Sequence, residues 1–227
     1  MIRRAANAAD PQSRAALEEL CRAYWYPIYA FVRKSGLSHE DAQDLTQDFL
    51  SRLLNNDKTL SSLAPEHGRF RSFLLVAVRR LISSEWRKAY TQKRGGGAAV
   101  FSIDEGEAME RFEAESPDDT TPEVLFDRKW AASVMDRTLQ RLESHWREKD
   151  KPLEALKTYL MDPRGTVPVA DLAAQLGTTV PSMKASIYRL RRLFADLLRD
   201  EITATVSEPG EIDDELRHLL TVLAHTR

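Results

Sequence analysis

An all-α chain of two small helical domains joined by an acid-rich connection is what the sequence predicts, on three observations. Apolar residues recur at helical spacing through most of the 227 residues. Helix punctuation falls where those runs start and stop, with Gly36 after one and Ser38 before the next. No apolar–polar alternation of useful length offers a strand instead.

The first helix is expected over about Ser13–Lys34, where Leu17, Leu20, Tyr24, Ile28 and Phe31 share a face, with Pro27 bending it and Gly36 ending it. Ser38 caps the second, with Asp41 in place of the usual capping-box glutamate. In "HEDAQDLTQDFLSRLL" the apolar stripe is Ala42, Leu45, Phe49 and Leu53, while Asp41, Asp44 and Asp48 line another face. A third helix runs over about Arg69–Tyr90, with Phe70, Phe73, Ala77 and Leu81 on one line and Leu74, Val78, Ile82 and Trp86 beside it. Its far end is basic, and Gly95–Gly97 stop it.

From Asp104 to Thr121 the chain is acid-rich and poor in apolar anchors, which reads as a linker with a short helix around Met109 and Phe112. Thr121 as cap and Pro122 in the first turn open a helix that faces a core through Leu125 or Phe126, Trp130, Val134, Leu139 and Leu142. Further on, Leu172, Ala173 and Leu176 mark a short helix and Gly177 a turn. Met183, Ile187, Leu190 and Phe194 stripe the next helix, which Thr179 caps and whose first turn tolerates Pro181. The tail "PGEIDDELRHLLTVLAHTR" reads as one more amphipathic helix. The expected division is 1–97 for the first helical domain, 98–121 for the acidic linker, 122–203 for the second domain and 204–227 for an extension.

Apolar residues make up 42% of the chain and charged residues 30%, a balance that folds rather than stays disordered. The net charge of −2 gives no overall attraction for nucleic acid, so local charge decides. A lone cysteine, Cys21, excludes an internal disulfide and a multi-cysteine metal site, and its apolar neighbours predict a buried thiol. Neither a signal-peptide pattern nor a membrane-length apolar run is found, so a soluble, cytoplasmic protein without membrane insertion is expected.

Two short helices around a glycine turn suggest a helix-turn-helix, whose second helix enters the major groove. Ser182, Ala185, Ser186 and Arg189 are expected to point away from the Met183–Ile187–Leu190 stripe and could read bases, with Lys184, Arg191 and Arg192 on phosphates. A solvated basic stripe explains the same residues without DNA. At the end of the third helix, Trp86 and Tyr90 among Arg87 and Lys88 could stack on unpaired bases. Apolar spacing favours Trp86 in the core beside Ile82, with Tyr90 less committed.

Catalytic and cofactor signals are weak, and neither is expected. The five histidines lack metal-ligand spacing, Asp213, Asp214 and Glu215 suit a helix's first turn, and Gly95–Gly97 lack the lysine–hydroxyl pair of a phosphate loop. The acidic row on the second helix fits either a basic partner surface or plain solvation.

Three stretches, in order, resemble bacterial RNA polymerase sigma factors of the extracytoplasmic-function type, within the sigma-70 superfamily. "DAQDLTQDFLSRLL" resembles the segment that engages the clamp helices of the polymerase, which implies core contacts at Asp41, Asp44, Gln47 and Asp48. "GRFRSFLLVAVRRLISSEWRKAYTQKRGG" resembles the helix and loop that melt and recognise the downstream (-10) element, implying DNA contacts at Arg80, Ser83, Ser84, Arg87, Lys88 and Tyr90. Arg80 and Ser84 stand where the family pattern has asparagine and aspartate.

"VADLAAQLGTTVPSMKASIYRLRRLFADLL" resembles the helix-turn-helix that reads the upstream (-35) element and approaches the polymerase flap, implying contacts at Thr179, Ser182, Lys184, Ala185, Ser186, Arg189 and Arg192. The resemblance implies a promoter-specificity subunit with no enzymatic activity and no cofactor. Its implied partners are core polymerase, promoter DNA and, in some members, an anti-sigma factor. A stand-alone helix-turn-helix regulator and a helical interaction adaptor are the alternatives that the residues leave open.

Overall fold

The computed structural model describes residues 11–55, 69–89, 108–112, 119–146, 153–161 and 167–225. Their helices are α1 (Pro11–Lys34), α2 (His39–Leu54), α3 (Phe70–Ala89), α4 (Pro122–His145), α5 (Leu153–Met161), α6 (Val169–Gln175), α7 (Val180–Thr203) and α8 (Ile212–Ala224), with a 3₁₀ turn at Pro209–Glu211. Among the described residues there is no strand, only an isolated antiparallel bridge between Arg69 and Val206. The all-α expectation holds, and no helix among these residues is long and apolar enough to cross a membrane.

Two compact units form: Met1–Ser133 with Ile202–Arg227, and Val134–Glu201. The divisions fall inside α4 and α7, because the segment after residue 201 packs with the N-terminal helices rather than standing apart.

In the first unit, α1 packs on α2 and α3. Tyr24, Ile28, Tyr29 and Phe31 of α1 are buried with Phe49, Leu50, Leu74, Phe126 and Trp130. The helix runs unbroken past Pro27. It stops at Gly36, whose φ of 98° is a conformation glycine adopts without a Cβ clash.

Polar groups tie the aromatic core together. The Trp130 indole N–H donates to the Tyr24 hydroxyl at 3.1 Å, and Tyr24 meets the edge of Phe70 with ring centres 5.2 Å apart. Such an edge-on pair adds about 0.5–1.5 kcal/mol to the area it buries.

On α2, Ala42, Leu45 and Phe49 are buried as expected, but Leu50 joins them and Leu53 is only half-buried. Helical rotation of 100° per residue brings positions 46 and 50 to the same side as 42, 45 and 49. Thr46 is buried there because its hydroxyl donates to the Ala42 carbonyl at 2.7 Å.

The short helix expected near Met109 and Phe112 is present at 108–112, and it docks on α1. Phe112 meets Tyr29 edge-on, the Arg33 guanidinium lies 5.0 Å from the Phe112 ring centre, and Arg111 lies 4.2 Å from that of Tyr26. Most of the remaining acidic linker lies outside the described residues.

The second unit closes around Leu142, Leu156, Tyr159, Leu172, Ala173, Met183, Ile187, Leu190 and Leu197. Fully burying a side chain such as Leu142, Leu156 or Met183 contributes about 1.5–3 kcal/mol. Glu201, near the end of α7, accepts from Arg137 at 2.9 Å and from Arg141 at 2.8 Å, both on α4. Tyr159 donates its hydroxyl to the Val167 carbonyl, and Arg191 Nε donates to the Tyr159 carbonyl at 2.9 Å.

Cys21 is buried as expected, and burial, with Glu18 nearby, pushes its thiol up to about 12. The nucleophilic thiolate is therefore scarce at neutral pH. In the folded chain Cys21 should resist a disulfide-exchange reagent at pH 7.5 and react fully in denaturant, as read by absorbance of the released thiol.

Candidate nucleic-acid and polymerase interface

The acidic row on α2 starts from its cap. Ser38 Oγ accepts the Asp41 N–H at 3.1 Å and donates to the Asp41 carboxylate at 2.9 Å, which fixes the first turn. With the apolar side turned to α1, Asp41, Asp44 and Asp48 are exposed and Gln47 is half-buried. Asp48 forms an exposed i,i+4 pair with Arg52 at 2.8 Å. His39, at the head of the helix, lies with Nδ1 2.7 Å from the Tyr29 hydroxyl. The result is an anionic ridge backed by a rigid aromatic core.

Along α3, Phe70, Phe73, Leu74, Ala77, Val78 and Ile82 are buried, so the opposite face is presented outward. Arg80 and Ser83 are exposed and Ser84 is partly exposed. Ser83 Oγ donates to the Arg79 carbonyl at 2.9 Å and Ser84 Oγ to that of Leu81 at 2.8 Å. Arg79 is drawn to Glu123 on α4 at 2.5 Å. Burial works against the Glu123 charge, but its backbone hydrogen bond and Arg79 together hold its carboxyl below the ordinary range. Arg87 and Lys88 belong to the helix with side chains outside the described set, as does that of Trp86, and Tyr90 lies beyond it.

In the second unit, α6 and α7 are joined by residues 176–179, where Gly177 takes a φ of 60°. Thr179 Oγ1 accepts the Ser182 N–H at 3.3 Å, as its capping role predicts. Lys184, Ala185, Arg189 and Arg192 are exposed, and Ser182 is partly so.

Ser186 departs from expectation. Instead of facing outward with Ala185 and Arg189 it is 0% exposed, donating to the Ser182 carbonyl at 3.2 Å and accepting from Arg189 at 3.2 Å. It lies one residue before the buried Ile187 and turns inward with it, and a hydroxyl bonded to its own helix can be buried at little cost. Its reach outward is therefore through the Arg189 guanidinium.

The structure also presents a residue that the sequence reading passed over. Tyr188 is 66% exposed, one turn from both Lys184 and Arg192. The signal was available, since the three stand at i, i+4 and i+8 on a helix whose apolar stripe lies elsewhere. Among the described residues no group of histidine, cysteine, aspartate and glutamate could hold a metal ion.

These three charged surfaces acquire a context from comparison. Residues 20–91 match the family model for sigma-70 region 2. This stretch is similar to sigma-70 region 2. The match takes in α1 from Leu20, all of α2 and all of α3, so the acidic ridge and the exposed face of α3 both lie on region 2. It covers roughly one third of the chain. Comparison with curated proteins and with solved structures gives no match. Region 2 is a domain of non-catalytic transcription factors that act with core RNA polymerase and promoter DNA.

Region 2 should tolerate charge reversal on its ridge better than loss of its cap. Replacing Asp44 and Asp48 together by lysine should cost less than about 1 kcal/mol, since exposed charges at i,i+4 contribute a few tenths each. Ser38→Ala should cost about 1 kcal/mol. Urea unfolding followed by helical circular dichroism measures both.

Proposed function

We propose that this chain is a promoter-specificity subunit of bacterial RNA polymerase, of the extracytoplasmic-function type, working in the cytoplasm where that enzyme works. The observation that carries the proposal is the coincidence of the region 2 match with an outward acidic ridge on α2 and an outward polar and basic face on α3. In this reading residues 1–97 bind polymerase and the downstream element, 98–121 link, 122–203 bind the upstream element and 204–227 extend the chain.

Asp41, Asp44, Gln47 and Asp48 meet the clamp helices of the largest subunit, where complementary charge sets register and speeds encounter. Arg80, Ser83, Ser84, Arg87, Lys88 and Tyr90 meet the opened downstream element. Unstacking costs a few kcal/mol per base step, and contacts to the exposed strand offset it.

In the second unit, α6, its glycine turn and α7 act as a helix-turn-helix that also approaches the polymerase flap. The exposed cations Lys184, Arg189 and Arg192 support this role, with Ser182 and Ala185 on the same side and Thr179 at the helix start. Ser186 acts by holding Arg189. Cations on phosphates supply position and affinity, and side chains at base edges supply sequence preference. An anti-sigma partner would act by covering these same surfaces.

Charge reversal at Asp44 and Asp48 should reduce retention on immobilised core polymerase at least about tenfold, since like charges across an interface are strongly unfavourable. Undiminished retention would remove α2 as the docking helix. Promoter-dependent transcripts from core polymerase should appear only when the chain is added. Tight operator binding by the chain alone, with no such transcripts, would instead identify an independent regulator. Arg189→Ala should cost about 1–3 kcal/mol at the upstream element and relax its sequence preference, as read by footprinting of the holoenzyme.

A further inference from the structure

The region 2 match leaves the C-terminal segment without a role, yet that segment packs on region 2. Phe70, the first residue of α3, donates its N–H to the Thr205 carbonyl at 3.0 Å, and Arg69 pairs with Val206. The tail thereby satisfies one of the backbone donors that every helix leaves open at its start. Ile202, Val206, Ile212 and Leu219 are buried. Between them, the Glu208 N–H donates to the Glu211 carboxylate at 3.1 Å, closing a capping box that sets the course of α8.

Charge completes the attachment. Arg71, only 7% exposed, donates to Glu215 at 2.9 Å and to Asp127 at 2.8 Å, with its guanidinium 5.1 Å from the Trp130 ring centre. Glu215 is 1% exposed and also takes Arg69 at 3.4 Å. Asp214 accepts from Arg69 at 3.2 Å, and His218 Nε2 lies 3.2 Å from Asp127. An incidental tail would touch its neighbour through exposed side chains. Here apolar burial, backbone hydrogen bonds and buried ion pairs converge on the first turn of α3.

We propose that residues 202–224 act in cis as the closing layer of region 2, so that polymerase binding and promoter opening by the N-terminal helices require a seated C-terminal segment. The functional half of this statement rests on the promoter-specificity reading; the structural half does not. α3 carries its DNA-facing residues at one end and is held by the tail at the other. Without the tail, Arg71 keeps a single carboxylate and the Phe70 N–H loses its acceptor, which leaves the helix start free to fray.

The test uses the full-length chain, its Glu215→Gln variant and its Glu215→Asp variant, which keeps the charge. In the parent, amide exchange should be as slow in 205–222 as at the start of α3. In Glu215→Gln both segments should speed up together, by about a hundredfold, as expected when a buried pair is broken. Helix α7 over 183–197 should keep its protection, core-polymerase retention should fall in parallel, and Glu215→Asp should recover part of both.

Fast exchange of the tail in the parent would overturn the proposal. So would a Glu215→Gln chain whose tail opens while α3 stays protected and polymerase retention is unchanged. If protection falls as expected but the parent itself never binds polymerase, the promoter-specificity reading fails and the closing layer stands.

Discussion

The buried guanidinium of Arg71 is the constraint around which the first unit is organised. Moving an ion of this size out of water costs several kcal/mol even after relaxation, so it must be met on more than one side. Glu215 and Asp127 supply two carboxylates from segments 144 and 56 positions away, and the Trp130 ring supplies a π face. Burial works against the Arg71 charge, but its hydrogen bonds and charge pairing with Glu215, joined by Asp127, more than offset this and hold the guanidinium above its ordinary range. Apolar faces on α3, α4 and α8 could pair in many ways. Few arrangements also satisfy a buried cation, which makes the network a selector among packings rather than a large net source of stability.

Glu201 does for the second unit what Arg71 does for the first. It is nearly buried, and it draws Arg137 and Arg141 on one helix to the end of another. Arg137 and Arg141 lie in the part of α4 that belongs to this unit. Within the first unit, Trp130 adds the hydrogen bond to Tyr24 that binds α4 to α1.

Much of this was legible in the residues. Ser38, Thr121, Thr179, Gly36 and Gly177 mark helix ends by chemistry that acts within four positions, and all of them do so in the structure. The outward acids of α2 could be read because an apolar stripe on one side fixes what faces away. The pairing of Arg71 with Glu215 could not. A charged residue beside an apolar stripe looks like surface, and nothing local announces a partner 144 positions on. Glu215 had a sufficient local account as a first-turn acid, which concealed that it is buried. Ser186 was misjudged for a related reason: periodicity places a side chain on a face but does not say that a hydroxyl bonded to its own helix can turn inward.

The near-zero net charge of the chain acquires meaning from where its charges lie. A protein with a large positive total attracts any DNA, and that attraction carries no sequence information. Here many arginines are already spent internally: Arg69 and Arg71 on α8 and α4, Arg79 on Glu123, and Arg137 and Arg141 on Glu201. Exposed cations among the described residues include Arg80 on α3 and Lys184, Arg189 and Arg192 on α7, while the acids of α2 face solvent separately. A short row of exposed cations gives only a weak, salt-sensitive hold on DNA by itself. Under the proposed function the acidic ridge removes that weakness, because once polymerase is bound to it, each basic surface meets promoter DNA at the high effective concentration of a tethered partner.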